Sequence, residues 1–270
     1  MKVYRFFEKV LLFVLLCLCS WTTVLAQETG SAASISRRRA IVNARQAVAM
    51  DTRWGNAEIA RSQRDAVLQI GFTTAKSFVN EVQSLISSVA KNVQVKIEYG
   101  PGLRLEKIFG YTPRYGNGSV SLTLDDMNNG LTQVVMAKFR ADSVRDMLPV
   151  KVRLSYFDVK RKGMVEEVQE LRLVPAERGS CDPLIDLEVK KNYTIAELAD
   201  SLFQMTGLAR GGKYSQAQNV LDASVQTAYA RYPHMEDEDI RFIVDIVEGY
   251  RRDLQIYNAH SRRSDCGGCR

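Results

Sequence analysis

Histidine and cysteine are scarce, with two and five residues among 270. His234 follows Pro233 and His260 stands near the last residue, so neither can join a His-x-x-x-His pair or a Cys/His cluster. There is no Gly-x-Ser-x-Gly elbow. The glycines between 207 and 212 lack the preceding strand and the Lys-Ser/Thr ending of a phosphate loop. Nucleophilic, zinc and nucleotide chemistry thus lose their usual signatures, and no cofactor is expected. After residue 26 no apolar run is long enough to span a bilayer. Neither sign of charge is missing: 37 Lys and Arg against 31 Asp and Glu leave a net +6. With 46% hydrophobic and 25% charged residues the chain is too apolar to be disordered. Its length suits one ordinary domain or two small ones.

The first residues read as a targeting segment. Lys2, Arg5 and Lys9 outnumber Glu8, residues 10–21 are almost wholly apolar, and Val24-Leu-Ala26 offers small residues where a signal peptidase reads. Residues 1–26 are therefore expected to be a signal peptide, cleaved before Gln27 and leaving a net +4. The alternative is an inner-membrane anchor formed by uncleaved residues 10–26, although that stretch is short for a spanning helix. Cys17 and Cys19 leave with the signal. Cys181, Cys266 and Cys269 remain, an odd number for an oxidising compartment. Cys266-Gly-Gly-Cys269 is a C-x-x-C pair and the only redox candidate. No helix follows it to stabilise a thiolate, so a frayed, locally disulfide-bonded end is the plainer reading.

The rest divides into three by the period of its apolar residues, which together predict an α+β chain. Residues 27–91 are expected to be helical, because Val42, Val48, Ile59, Val67, Leu68, Phe72, Phe78 and Val82 recur at three- and four-residue steps. Residues 92–176 alternate, as in Val93, Val95 and Ile97 or Val120, Leu122 and Leu124. Turn signals between the runs predict an antiparallel β-sandwich of about six strands. Residues 193–258 return to helical spacing and predict a hairpin or bundle, with Thr194 and Ser215 as caps. Phe203, Tyr229 and Ile256 count among its inward residues. Residues 259–270 are expected to form a flexible tail.

Few residues suggest a site. Asp125-Asp126 reads as a turn former. Glu166-Glu167 places one carboxylate on each face of a strand, so the two cannot share a proton. Arg37, Arg38 and Arg39 form a basic run just past the cleavage site, a candidate contact with anionic lipid or an acidic partner. A solvated helix face is the plainer reading of that run. An exported chain with few exposed-aromatic signals is not expected to bind nucleic acid.

One resemblance adds to this. The runs Ser87-Ser-Val-Ala-Lys-Asn-Val-Gln-Val-Lys-Ile-Glu-Tyr-Gly-Pro-Gly102, Ile108-Phe-Gly-Tyr111, Val120-Ser-Leu-Thr-Leu-Asp-Asp126, Thr132-Gln-Val-Val-Met-Ala-Lys-Phe139 and Val150-Lys-Val-Arg-Leu-Ser-Tyr156 are similar to one region of bacterial von Willebrand factor A domain proteins. That region is the sandwich that follows the A module. Ala196-Glu-Leu-Ala-Asp200 and Gly211-Gly-Lys-Tyr-Ser-Gln-Ala-Gln-Asn-Val-Leu221 resemble the helical segment that ends many of them. The A module itself binds a divalent cation through D-x-S-x-S, and the nearest approach here is Asp222-Ala-Ser224-Val-Gln226 inside a predicted helix. Its metal-dependent adhesion is therefore not implied.

Together these readings predict a non-enzymatic protein-binding or scaffold module, exported to the periplasm or cell envelope of a bacterium, with an envelope protein as partner. A hydrolase or thiol-redox protein with a dispersed site is the alternative. Intact-mass measurement of the native protein is expected to find a chain that begins at Gln27, and a retained Met1 would refute the cleavage.

Overall fold

The computed structural model describes residues 46–74, 87–142, 146–176 and 182–266, with side chains through residue 258. The expected signal segment and the Arg37, Arg38 and Arg39 run lie outside the described residues. The chain parts into two compact units between Val189 and Lys190.

The first unit is an α+β chain's β half, two sheets around one core. Its strands are β1 (Val48–Trp54), β2 (Glu58–Ile59), β3 (Asp65–Thr74), β4 (Ser88–Tyr99), β5 (Leu103–Ile108), β6 (Arg114–Gly116), β7 (Ser119–Thr123), β8 (Met127–Asn128), β9 (Thr132–Ala141), β10 (Leu148–Asp158) and β11 (Gly163–Pro175). The smaller sheet runs β1-β3-β9-β5 and the larger β2-β11-β10-β4-β7-β6, with β8 paired to β4. The pairings are antiparallel except β2 with β11. Val95, Ile97, Leu122, Leu154 and Tyr156 are buried, on the face that the alternation assigns them. From the smaller sheet Phe72 and Phe139 meet them. Phe139 lies edge-on to both Trp54 and Tyr99, with ring centres 5.8 and 5.5 Å away.

The helical expectation for residues 27–91 is corrected over its described part, which holds β1, β2, β3 and the start of β4. The sandwich therefore begins at Val48 rather than residue 92 and has more strands than the six expected. The reason is visible in β3, where Ala66, Val67, Leu68, Gln69 and Ile70 are all buried. A strand covered on both faces loses its period of two, and its apolar positions then also satisfy helical spacing.

Polar side chains close the seam between the sheets. The first N–H of β1, on Val48, donates to Tyr156 Oη at 3.3 Å across the core. Further along, Gln169 of β11 points inward. Its amide nitrogen, Nε2, donates to Met50 O at 2.7 Å, and its Oε1 accepts from Thr52 Oγ1 at 2.7 Å. That side chain replaces a ladder bond between strands of different sheets. Beyond it β2 joins β11 directly, and Val174 N–H donates to Ala57 O at 2.8 Å.

The chain leaves at the opposite end of β1. Asn56 Nδ2 donates to Asp182 O at 2.6 Å, and Asp186 N–H donates to Gly55 O at 2.9 Å. Arg53 bonds Asp51 and reaches Glu188 at 2.7 Å, while the buried Gln69 amide donates to the same carboxylate at 3.0 Å. A Cβ on Gly55 would lie 2.5 Å from Pro183 O, so only glycine lets this segment lie on the strand's backbone.

Across the boundary runs α1 (Leu187–Arg210), and the second unit adds α2 (Tyr214–Arg231) and α3 (Glu238–Cys266). The expected caps are corrected. Asp186 accepts from the N–H groups of Glu188 and Val189, both at 3.0 Å, so α1 starts before Thr194. Thr194 lies within the helix and donates to Lys190 O. At α2, Ser215 is the second helical residue, and no side chain caps the start. Asp237 caps α3, accepting from Asp239 and Ile240. Leu198, Leu202, Met205, Leu221, Val225, Ile240, Val244, Val247 and Leu254 are buried, whereas Phe203, Tyr229 and Ile256 are exposed. Each of the three sits one or two residues off the buried stripe; beside Tyr229, the small Ala228 faces inward instead. The tail expectation is corrected for residues 259–266, which continue α3. Ion pairs tie the unit together: Lys191 to Asp237 at 3.0 Å and to Asp239, Arg231 to Glu197 at 2.5 Å, and Arg251 to Asp222 at 2.6 Å. Among the described residues no helix is long and apolar enough to cross a membrane.

Two substitutions test the core. Leu154→Ala is expected to cost about 2–5 kcal/mol in chemical denaturation. Tyr156→Phe keeps the ring but leaves Val48 N–H without its acceptor, and is expected to cost about 1–3 kcal/mol. A Phe variant as stable as the parent would remove the hydroxyl from the account of the seam.

Candidate interaction surface

Because Val150, Val152, Leu154 and Tyr156 of β10 point into the core, the residues between them point out. Register then orders the outer face of the larger sheet into rows. One row crosses Glu170, Lys151, Glu98, Ser119 and Gly116. The next crosses Val168, Arg153, Lys96, Ser121 and Arg114, and a third crosses Glu166, Ser155, Gln94 and Thr123. Opposite charges meet across and along the strands. Lys151 Nζ lies 2.9 Å from Glu170, Lys96 Nζ lies 2.6 Å from Glu98, and Arg153 pairs with Glu166. Hydroxyls and exposed apolar side chains, Val168 and Met164 among them, fill the remaining places. Cross-strand pairs of this kind add little stability in water but fix where each charge stands.

The electrostatics agree with the geometry. The hydrogen bond from Lys151 holds the Glu170 carboxyl below the ordinary glutamate value, and the bond from Lys96 does the same for Glu98. Such a face presents ordered donors, acceptors and apolar contacts over five strands. Its carboxylates Glu98, Glu166 and Glu170 are each engaged by a cation.

The sequence-derived candidates fall elsewhere. Cys266 is the last residue of α3. Cys269, like Arg37, Arg38 and Arg39, lies outside the described residues. Asp125 and Asp126 are exposed, and Asp126 accepts from Asn92 N–H at 3.2 Å. That bond steadies Asn92 at φ 54, in a bulge that places one extra β4 residue opposite β10. Glu166 and Glu167 do diverge: the first meets Arg153 outside and the second accepts from Gln169 inside. Among the described residues no group of three or more His, Cys, Asp and Glu is placed to hold a metal ion. The outer face went unread in the sequence, although the polar residues of each alternating run are its signal.

No family model matches the chain, and no curated protein matches it. Solved structures with some likeness include the full-length major pilin SpaD from Corynebacterium diphtheriae, at 11% identity and a TM-score of 0.37, matching 46% of this chain and 34% of the pilin. The chain thus spans about a third of that pilin. A collagen-binding domain from a Staphylococcus aureus adhesin matches at 9% identity and a TM-score of 0.30, over 47% of this chain and 95% of that domain. A cohesin module from a Clostridium perfringens family 33 glycoside hydrolase matches at 8% identity and a TM-score of 0.36, over 49% of this chain and 98% of the module.

The lowered Glu170 value gives a pH test. A depressed carboxylate contributes its stability in full above the ordinary glutamate range and loses it as pH falls through the folded value. An NMR titration is expected to show Glu170 ionising below that range in the parent, and Lys151→Met is expected to raise it. An identical curve in the variant would deny the bond in solution.

Proposed function

We propose that this chain is a non-enzymatic binding module of the bacterial cell envelope that holds a protein partner on the outer face of its larger sheet. The observation that carries the reading is that face itself: a charge ladder in fixed register, with Ser119, Ser121 and Ser155 as hydrogen-bonding groups and Val168 as an exposed apolar contact. The amino-terminal sequence supports export, and the similarity to the region behind von Willebrand A modules supports a bacterial envelope setting. A flat, ordered sheet face suits a protein surface better than a small substrate, which needs a concave site with convergent polar groups.

The test is affinity capture from the native envelope, read by mass spectrometry, with the parent chain beside Val168→Asp/Ser121→Trp. Both positions are at the surface, so the variant is expected to melt with the parent. Loss of one good contact of about 1.4 kcal/mol lowers affinity tenfold, so proteins retained by the parent are expected to fall at least about tenfold on the variant. Equal recovery on both would exclude this face as the contact.

A further inference from the structure

We infer that the turn joining β10 to β11 is a docking surface for an anionic lipid bilayer. Lys160, Arg161 and Lys162 stand exposed on that turn, which is held firmly from below. The buried Asp158 accepts Arg161 N–H at 2.9 Å, Val159 N–H donates to Val89 O at 3.1 Å, and Lys162 takes φ 55 to close the turn. Arg161 Nε also lies 3.7 Å from Asp158. Lys160 and Lys162 have no carboxylate at ion-pair distance among the described residues.

Apolar side chains adjoin these cations. Met164 is 68% exposed and Val159 37%. Met164 pairs across the strands with Phe157, and Phe157 with Lys91, so the last row of the outer face is apolar and bordered by positive charge. Cations alone would suit an acidic protein equally well. Methionine and valine beside them favour a bilayer interface, where lysine stays among the headgroups while the apolar groups enter the acyl boundary. Asp125 and Asp126 stand nearby, beyond Asn92, where Asp126 is bonded to the Asn92 amide.

The position in the fold agrees. β1 starts beside Tyr156, two residues before Asp158, and its first residue pairs with Thr74, which bonds Asn128 O at 2.7 Å; Asn128 in turn is bonded by Ser88 at the start of β4. The chain therefore enters the sandwich at the end that carries the basic turn. In sequence, Arg45 and, a little earlier, Arg37, Arg38 and Arg39 immediately precede that entry. The inference shares the envelope setting of the proposed function but not its protein-binding rows.

The test is vesicle flotation of the full chain with phosphatidylcholine alone or with added phosphatidylglycerol. At about 1 kcal/mol per cation, Lys160→Gln/Lys162→Gln is expected to weaken binding to the anionic vesicles about 30-fold at low salt. Binding to neutral vesicles should not change. Met164→Ser is expected to weaken anionic binding too, most visibly at high salt where the charges are screened. All three side chains are exposed, so thermal melting should match the parent and rule out misfolding. A Lys160→Gln/Lys162→Gln chain that floats with anionic vesicles as well as the parent overturns the inference, and an acidic protein as the real occupant would give that result. Equal retention of the parent on both vesicle types overturns it as well. Because the readout is lipid binding, it is independent of whether any protein is captured on the sheet face.

Discussion

Everything in the sandwich depends on β1 serving two sheets at once. Its seven residues pair with β3 in the smaller sheet, yet its other side must meet β11 of the larger one. Backbone ladders cannot supply both contacts at the angle between two packed sheets, so side chains do: the Tyr156 hydroxyl at the first residue and the Gln169 amide at midstrand. These groups are costly to bury alone and favourable once bonded, which makes the closed seam a condition for burying Phe72, Phe139 and Leu154 beside it. An inward Glu167 and Gln169 on the part of β11 that β2 does not cover also discourage pairing with a foreign strand.

The legible part of the fold was the part with one wet face. β4, β7, β10 and β11 alternate because one side of the larger sheet faces solvent, and their core residues can be read directly from the period of two. β3 carries helical spacing because it is covered on both sides, so nothing in Ala66-Val-Leu-Gln-Ile70 marks an outer face. The sequence predicts the helical unit in kind but not in phase, since Asp186 and Asp237 cap the helices from positions that precede the apolar repeats. Glu166 and Glu167 were legible as divergent from spacing alone. The rows on the outer face were not, because they exist only through register between strands far apart in sequence, such as Lys151 with both Glu170 and Glu98. Hairpin joins are local, whereas the β4–β10 pairing spans about half of the sandwich and leaves no local mark.

The charged rows and the basic turn illustrate two uses of surface charge. On the sheet face Lys96, Lys151 and Arg153 each have a carboxylate at contact distance. Such a surface discriminates by pattern, since a partner must break or match particular pairs. On the turn, Lys160 and Lys162 have no such partner among the described residues, and their field is free to act on any polyanion. The two regions adjoin through Phe157 and Met164, so one continuous sheet carries both a patterned and an unpatterned zone.

The entry and exit of the chain have a mechanical meaning. The backbone comes in at Val48, beside Tyr156, and goes out past Gly55, where residues 182–189 are bound to the far end of the same strand. A pull between the two ends is therefore directed along β1. The seven β1–β3 pairs, from Val48 with Thr74 to Trp54 with Leu68, would then bear the load together in shear instead of opening one by one, with Gln169 as a cross-brace. Strands loaded in this way resist rupture through the rate of unfolding rather than through equilibrium stability. A chain held at one end and gripped at the other would thus have its strongest element in the line of force.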